Sequence, residues 1–169
     1  MPATTYNTSM AEGGRLGSIL VRGGGDVTVG TLYSTTSLVY KQLDGQLQIN
    51  VVIPRGFSLA VSAKGTCSIA SGSNVKIAFG LLDISSYGNP TVAYDEQQLI
   101  LTGSAVQQAF GLNYVWPGDN HEHNIILAFK TFDATHAAQA LNDSLTHTPS
   151  LNVALVNSNL VPGVSSPWA

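Results

Sequence analysis

Apolar and polar residues alternate along most of this chain, which predicts β-strands. The alternation begins at 19–21, is interrupted by a run of glycines, and resumes at 27–29. Turn-forming residues such as Lys64-Gly65 separate the later segments. Many short strands with this spacing are typical of an antiparallel sandwich or barrel and not of βαβ units. Further strands are predicted at 36–43, 46–53, 57–63, 66–70, 75–83, 97–102, 108–115, 124–132 and 151–156.

The strongest local pattern is a pair of alternating segments joined by Asp44-Gly45. An Asp-Gly pair supplies the positive φ angles of a type I′ turn, so a β-hairpin is predicted here. In its second strand Leu47, Ile49 and Val51 share one face, and polar residues occupy the other. This is the pattern of a sheet with one dry side.

Residues 133–145 interrupt the strand pattern. They are rich in alanine, lack glycine and proline, and offer Asp133 or Thr135 as an N-cap, which predicts a short helix before the last strand. The ends of the chain lack a core pattern. We therefore divide it into an N-terminal arm at 1–16, one β-sandwich domain at 17–161 and an extended tail at 162–169.

Charge is scarce in this sequence. Only 10% of its 169 residues are Asp, Glu, Lys or Arg, against roughly 25% in ordinary soluble proteins. The net charge of −3 removes the basic footprint that binding to nucleic acid requires. The single cysteine, Cys67, excludes an internal disulfide. The first residues have neither a basic start nor an apolar run, which predicts synthesis in the cytoplasm without a signal peptide.

The densest polar cluster is Asp119–His123, directly before an apolar strand. If His121 and His123 both lie on that strand, they point to one face, as His-x-His pairs do when they bind zinc or iron in cupin-like barrels. Residues 124–128 supply no carboxylate to complete such a site. We therefore predict no metal site, and favour a solvated loop at a subunit contact over the weak His121/His123 candidate.

Other motifs do not indicate catalysis. Cys67 alternates with apolar positions, as a small buried side chain does. The glycines at 23–25 lack the Lys-Ser/Thr ending of a phosphate-binding loop. The adjacent acids Asp95 and Glu96 do not match the opposed carboxyls of a glycosidase. We predict that the protein is not an enzyme and that it needs no cofactor.

Several aromatic residues fall in or near predicted loops or in the tail. Such rings form either a carbohydrate platform or an interface hot spot. We predict an interface, formed by Tyr87, Tyr94, Tyr114, Trp116 and Trp168.

Scarce charge also suggests how the surface is used. Surfaces in permanent subunit contacts are depleted in Lys, Glu and Asp, because these ions would lose their hydration. The composition therefore favours a domain that packs against copies of itself, with arm and tail that order on a neighbour. We expect deletion of residues 1–15 to leave the monomer folded and to impair assembly.

The strand series from Ile19 to Val156, the hairpin at Asp44-Gly45, the helix near 133–145 and the two termini resemble single jelly-roll capsid proteins of icosahedral viruses. This resemblance implies a jelly-roll sandwich or barrel in a capsid subunit or cementing protein of the virion. Its partners would be itself and other capsid proteins, near an internal viral membrane in some capsids. The arm differs from many plant-virus coats because Arg15 is its only basic residue, which argues against genome binding.

Two other functions remain open. A soluble binding module, such as a lectin-like sandwich or a phage receptor-binding tip, would use the loops near 84–96 and 113–123. A cupin-like metal-binding protein would use the two histidines. Light scattering, glycan binding and metal analysis distinguish these possibilities.

Overall fold

A computed structural model describes residues 4–6, 19–26, 32–143 and 147–157, with side chains described from residue 32 onward. All regular structure in these residues is β-strand, which confirms the predicted all-β class. Most of the predicted arm and the whole tail, including Trp168, lie outside them. Among the described residues there is no helix long and apolar enough to cross a membrane.

The described residues form twelve strands, and the longest is β6. In chain order they are β1 (Thr4–Tyr6), β2 (Ile19–Asp26), β3 (Tyr33–Thr35), β4 (Lys41–Gln42), β5 (Gln48–Val52), β6 (Phe57–Ile69), β7 (Val75–Asp83), β8 (Asp95–Leu101), β9 (Gln108–Pro117), β10 (Glu122–Thr131), β11 (Ala138–Ala140) and β12 (Ser150–Asn157).

The strands form two six-stranded sheets. Sheet I has the order β1-β5-β10-β7-β8, and β4 also pairs with β10. Sheet II is built around β6, which pairs with β9 on one edge and with β12 and β11, one after the other, on the opposite edge. β2 then pairs with β12, and β3 with β11. All pairs are antiparallel except β1 with β5.

The core lies between the two sheets, where the inward residues of each strand meet. The inward faces of β5, β7 and β10 are completely apolar over their central residues, as the alternation predicted. Phe79 of sheet I stacks on Phe110 of sheet II, with their ring centroids 3.8 Å apart. Removal of these apolar surfaces from water is the main force that holds the sheets together.

The predicted hairpin at Asp44-Gly45 is wrong. β4 and β5 do not pair with each other; both pair with β10 and follow one another along its edge. Leu43 N donates to Leu127 O, and Leu127 N donates to Leu47 O, so residues 44–46 form a short loop inside one continuous edge. Asp44 Oδ1 closes this loop by accepting from Gln46 N at 2.7 Å. Gly45 is not among the described residues with positive φ.

The predicted helix is also wrong: residues 133–143 contain a turn and then β11. Asp133 does act as a cap, but its carboxylate closes a turn by accepting from Thr135 N at 2.9 Å. In the strand that follows, Ala138 and Ala140 are fully buried and Gln139 between them is not. Tertiary burial of alternate alanines thus overrides the helix propensity of alanine.

Two predicted strands, 57–63 and 66–70, merge into the single strand β6. The separator Lys64-Gly65 is part of the ladder, paired with Gly111 and Phe110 of β9. A Cβ on Gly65 would lie 2.7 Å from the ring of Phe110. Glycine is therefore required here for close packing against an aromatic ring, and not for a turn.

Candidate functional site

Three connections meet at one end of the sandwich, which we call the loop end: residues 53–56, 84–94 and 118–121. Asn120 N donates to Ile53 O at 2.9 Å, and Arg55 N donates to the Asn120 side-chain oxygen at 2.9 Å. Asn120 has a φ of 66°, a left-handed conformation that asparagine tolerates better than most residues. The loop end therefore brings the predicted Asp119–His123 cluster next to β5 and β6.

Asp83 and His123 occupy inward positions at this end of the core, where the pattern of β7 and β10 would otherwise place apolar residues. Asp83 is completely buried, and 5% of His123 is exposed. His123 Nδ1 lies 2.6 Å from Asp83 Oδ2. Asp83 and His123 are therefore buried in the interior of the sandwich, where charged groups are stable only if they are hydrogen-bonded or paired.

Hydrogen bonds satisfy both residues. Asp83 Oδ1 accepts from Ser85 N and from Asn124 N, each at 3.0 Å. His123 Nε2 lies 3.1 Å from Asp119 Oδ1, which also accepts from His121 N at 2.8 Å. The imidazole thus connects a carboxylate at the end of β7 with a carboxylate in the 118–121 connection.

The arrangement favours the charged forms of both buried groups. Burial lowers the pKa of His123, but the hydrogen bonds to Asp83 and Asp119 outweigh burial and raise the pKa above its usual value. Burial raises the pKa of Asp83, but the bonds from His123, Ser85 and Asn124 outweigh it and lower the pKa. Both imidazole nitrogens of His123 face carboxylates, an arrangement that favours an imidazolium donating from Nδ1 and Nε2.

The structure separates the two histidines of the weak metal candidate. β10 begins at Glu122, so His121 lies before the strand and does not share a face with His123. His121 stacks on Tyr87, with ring centroids 3.8 Å apart. Both ring nitrogens of His123 are occupied by carboxylates. Within the described residues, no three His, Cys, Asp or Glu side chains form a group that could hold a metal ion.

The predicted interface aromatics fall in two different environments. Tyr87 is 57% exposed at the loop end. Tyr94, Tyr114 and Trp116 contact one another, with ring centroids 4.5 to 5.3 Å apart, and Trp116 is only 2% exposed. In the single chain these three rings pack on the core. Tyr87 is therefore the most exposed of the four described residues that were predicted to form an interface.

The other candidate residues have structural partners. Cys67 is buried, which raises the pKa of its thiol to about 12, and its Sγ donates to Gln108 O. A thiol with this pKa is not a nucleophile at neutral pH. Asp95 accepts from Asn113 N of β9 at 2.7 Å, and Glu96 accepts from the Tyr40 hydroxyl on the outer face of sheet I. The two neighbouring carboxylates therefore point to different surfaces.

Sequence reasoning missed the contrast between the outer faces of the two sheets. On sheet I, Tyr40 and Ala93 cover Leu82, Ile126 and Ala128 and form a second, small core. Lys130 lies beside this core, its Nζ 4.3 Å from the centroid of the Tyr40 ring. The chain itself thus covers part of the outer face of sheet I.

On the outer face of sheet II, the strands β6, β9 and β12 present mostly small, uncharged side chains, and β2 beside β12 contains Arg22 and Asp26. Ser62 pairs with Asn113 on one side and Asn152 on the other, and the next row joins Val115, Ala60 and Ala154. Asn113 and Asn152 are exposed. Lys64 is the single charged side chain of β6, β9, β11 and β12, whose side chains are all described. The sequence contains a sign of this surface, since Ala, Ser and Asn occupy alternate positions of these strands. Only the pairing of the strands shows that these side chains form one surface.

Comparison with known proteins adds little. Neither a protein-family model nor a curated protein matches the chain. Structural likenesses include an infectious bursal disease virus structure, Gx strain (14% identity, TM-score 0.42), covering 84% of this chain and 37% of that one. A second likeness is a CBM4 structure (16% identity, TM-score 0.29), and the match covers 64% of this chain and 58% of that one.

A third likeness is CorA, a surface-associated copper-binding protein important in copper acquisition by Methylomicrobium album BG8. It is 8% identical with a TM-score of 0.32, and the match covers 93% of this chain and 98% of that one. The chain spans 37% of the virus structure and 58% of the CBM4 structure, less than two thirds of each. With TM-scores below 0.5, the three likenesses carry no argument about function.

Proposed function

We propose that this protein is a structural subunit that assembles with copies of itself, as a jelly-roll capsid subunit or a capsid-cementing protein of a virion. The observation that carries the proposal is the outer face of sheet II, where the strands β6, β9, β11 and β12 together carry one charged side chain. The proposal assigns no catalytic role and no cofactor. Its partners are further copies and other capsid proteins.

The strand order supports the jelly-roll part of the proposal. A jelly roll contains eight strands in two sheets, connected as two Greek keys. The orders β5-β10-β7-β8 in sheet I and β2-β12-β6-β9 in sheet II have this form. β1, β3, β4 and β11 are short additions of two or three residues each.

The chemistry of the outer face of sheet II supports self-association. Covering a charged side chain removes its hydration, whereas covering Ala, Ser or Asn costs far less if the polar groups find partners. Small side chains also lose little conformational freedom when they are covered. Lys64, the one charged residue of β6, β9, β11 and β12, is exposed and able to keep its ammonium group in water at the margin of a contact.

Assembly of the full chain tests the proposal. We expect sedimentation velocity and negative-stain microscopy to show oligomers or closed particles as the concentration rises. Asn113→Lys with Asn152→Lys places two charges beside Ser62 on this face, and should shift the species toward monomer. Thr102→Lys with Gln107→Lys adds the same charge in the exposed connection between β8 and β9, and is the matched control.

The outcomes separate the surface from net charge. A loss of association in the Asn113/Asn152 variant, with normal association in the Thr102/Gln107 control, supports the proposal. Equal association of wild type and both variants contradicts the role of sheet II. A wild-type chain that stays monomeric at high concentration and with its natural companions overturns the proposed function.

A binding module is the second candidate, and the exposed Tyr87 ring favours it. Tyr87 and His121 stack at the loop end, next to the polar Asn120 and Asp119. Aromatic rings with polar neighbours are common where proteins bind sugars or other partners. Saturable glycan binding that Tyr87→Ala abolishes, while the protein remains a monomer, would favour this function over assembly.

A further inference from the structure

We propose that the edge of β5 opposite β10 accepts the β1 strand of a second copy, so that neighbouring subunits exchange residues 4–6. This inference rests on the proposed self-assembly and names an interaction surface and its occupant. The occupant is identified by the single subunit, in which β1 of the same chain lies on this edge.

The β1 strand is held by a short parallel ladder. Thr4 pairs with Ile49, Thr5 with Asn50 and Tyr6 with Val51. β1 lies at the end of sheet I, where its other edge has no strand within the described residues. A strand of three residues makes few backbone hydrogen bonds, and each of them is largely replaced by bonds to water when the strand leaves. Opening this pairing is therefore inexpensive, and an identical strand restores it.

The backbone of β5 alternates between its two neighbours. Leu47 O accepts from Leu127 N of β10, and Ile53 N donates to His121 O, directly before β10. The odd-numbered residues of this segment therefore direct their backbone groups to β10. In a regular strand the intervening residues, Gln48, Asn50 and Val52, direct their N–H and C=O groups to the opposite edge. Without β1, this edge would present unpaired donors and acceptors, which is a template for another strand.

The connection to β2 is longer than the single subunit needs. Tyr6 is level with Val51, and Ile19 pairs with Val156, which is level with Ser58. Both ends of the connection therefore lie near the loop end, and β1 contacts β2 directly. A segment of the length of residues 7–18 can reach roughly 40 Å when extended, well beyond the roughly 10 Å between two packed sheets. That reach allows β1 to arrive at the β5 edge of an adjacent copy.

Disulfide trapping between different chains tests the exchange. Paired residues of adjacent strands lie about 5 Å apart at Cα, within the range that a disulfide spans. We would mix full-length Thr5→Cys with full-length Asn50→Cys under assembling conditions, oxidise the mixture and separate the chains without reductant. The control mixes Thr5→Cys with Gln98→Cys, an exposed position on β8 at the far edge of sheet I. Cys67 stays in place because it is buried.

We expect a covalent heterodimer from the Thr5/Asn50 mixture and its loss in the Thr5/Gln98 mixture. The double variant in one chain should form an internal disulfide when dilute, and its failure to do so would overturn the pairing itself. A second variant, Asn50→Pro, removes an amide from the β1 edge and none from the β10 ladder. It should weaken self-association of the otherwise unchanged full chain in sedimentation velocity, and association equal to that of wild type would contradict the exchange.

Sedimentation of the same mixtures separates the two proposals. Oligomers that yield no Thr5/Asn50 heterodimer overturn strand exchange and leave the proposed function standing. A heterodimer without larger assemblies supports exchange and contradicts the proposed function. A mixture that neither associates nor cross-links overturns both.

Discussion

Replacing Asp83 by Asn tests the buried ion pair in the way that is easiest to measure. The carboxylate accepts three hydrogen bonds, from His123, Ser85 N and Asn124 N. Asparagine keeps one acceptor oxygen for the two backbone amides, but its amide group then faces His123 Nδ1–H as a second donor. His123 must lose that proton or lose the contact.

The expected cost follows from burial. Removing one partner of a buried, hydrogen-bonded ion pair costs about 3–5 kcal/mol, and asparagine recovers part of this through its own hydrogen bonds. We expect Asp83→Asn to reduce the free energy of unfolding by about 3 kcal/mol at pH 6. For a chain of this size that lowers Tm by about 6–12 °C. Urea unfolding followed by fluorescence of the buried Trp116 provides the measurement.

The pH dependence of the free energy of unfolding provides an independent test of the ion pair. The pKa of His123 is raised in the folded state, so its contribution is complete below its unfolded pKa, near 6.5, and declines as the pH rises through the folded value. The pKa of Asp83 is lowered, so its contribution is complete above its unfolded pKa, near 3.9, and declines as the pH falls through the folded value. The pair therefore stabilises the fold most between about pH 4 and 6.5.

Asp83→Asn should remove most of the loss of stability above pH 6.5. The exposed pair of His147 with Asp143 provides the control, since Asp143→Asn should cost well under 1 kcal/mol. If Asp83→Asn unfolds within about 0.5 kcal/mol of wild type and keeps the same pH profile, the buried imidazolium is refuted.

Three further predictions concern glycine, the thiol and a sheet edge. Gly45→Val should change stability by less than about 0.5 kcal/mol, because a Cβ at this position meets nothing within 4 Å. Gly118→Ala should cost several times more, because its Cβ collides with Pro54 O, and thermal melts of the two variants test the difference. Cys67 should react with a thiol reagent only at the rate of unfolding, and rapid labelling of the native protein would contradict its burial. Asp95→Ala leaves a β9 amide without its acceptor and should lower stability by about 1 kcal/mol, with Glu122→Ala, an exposed carboxylate at the start of β10, for comparison by urea unfolding.

The sequence was a good guide to the strands. Alternation predicted the β-strands near 46–53, 75–83, 97–102 and 124–132, and it placed Leu47, Ile49 and Val51 on a buried face, where the structure has them. The alternation of apolar and polar residues depends only on neighbours along the chain and on which side of the strand faces water. Strand positions can therefore be predicted from short segments of the sequence.

The site was only partly predictable. The sequence marked Asp119–His123 as a polar cluster, but His123 finds its main partner 40 residues away, in Asp83. Nothing in the local pattern of β7 distinguishes Asp83 from a carboxylate at an exposed strand end. The two meet because antiparallel pairing of β7 and β10 brings the end of one strand to the start of the other.

The sequence by itself determined that this chain forms strands with one apolar side and that its surface carries few ions. Only the tertiary structure decided which strands are neighbours. It aligned β4 and β5 along one edge of β10 where Asp44-Gly45 predicted a hairpin, and it made a strand of alanines that locally favour a helix. The physical reason is that a ladder partner comes from a distant part of the chain, and the free energy of burying both faces against that partner exceeds the small local preference of a turn or an alanine.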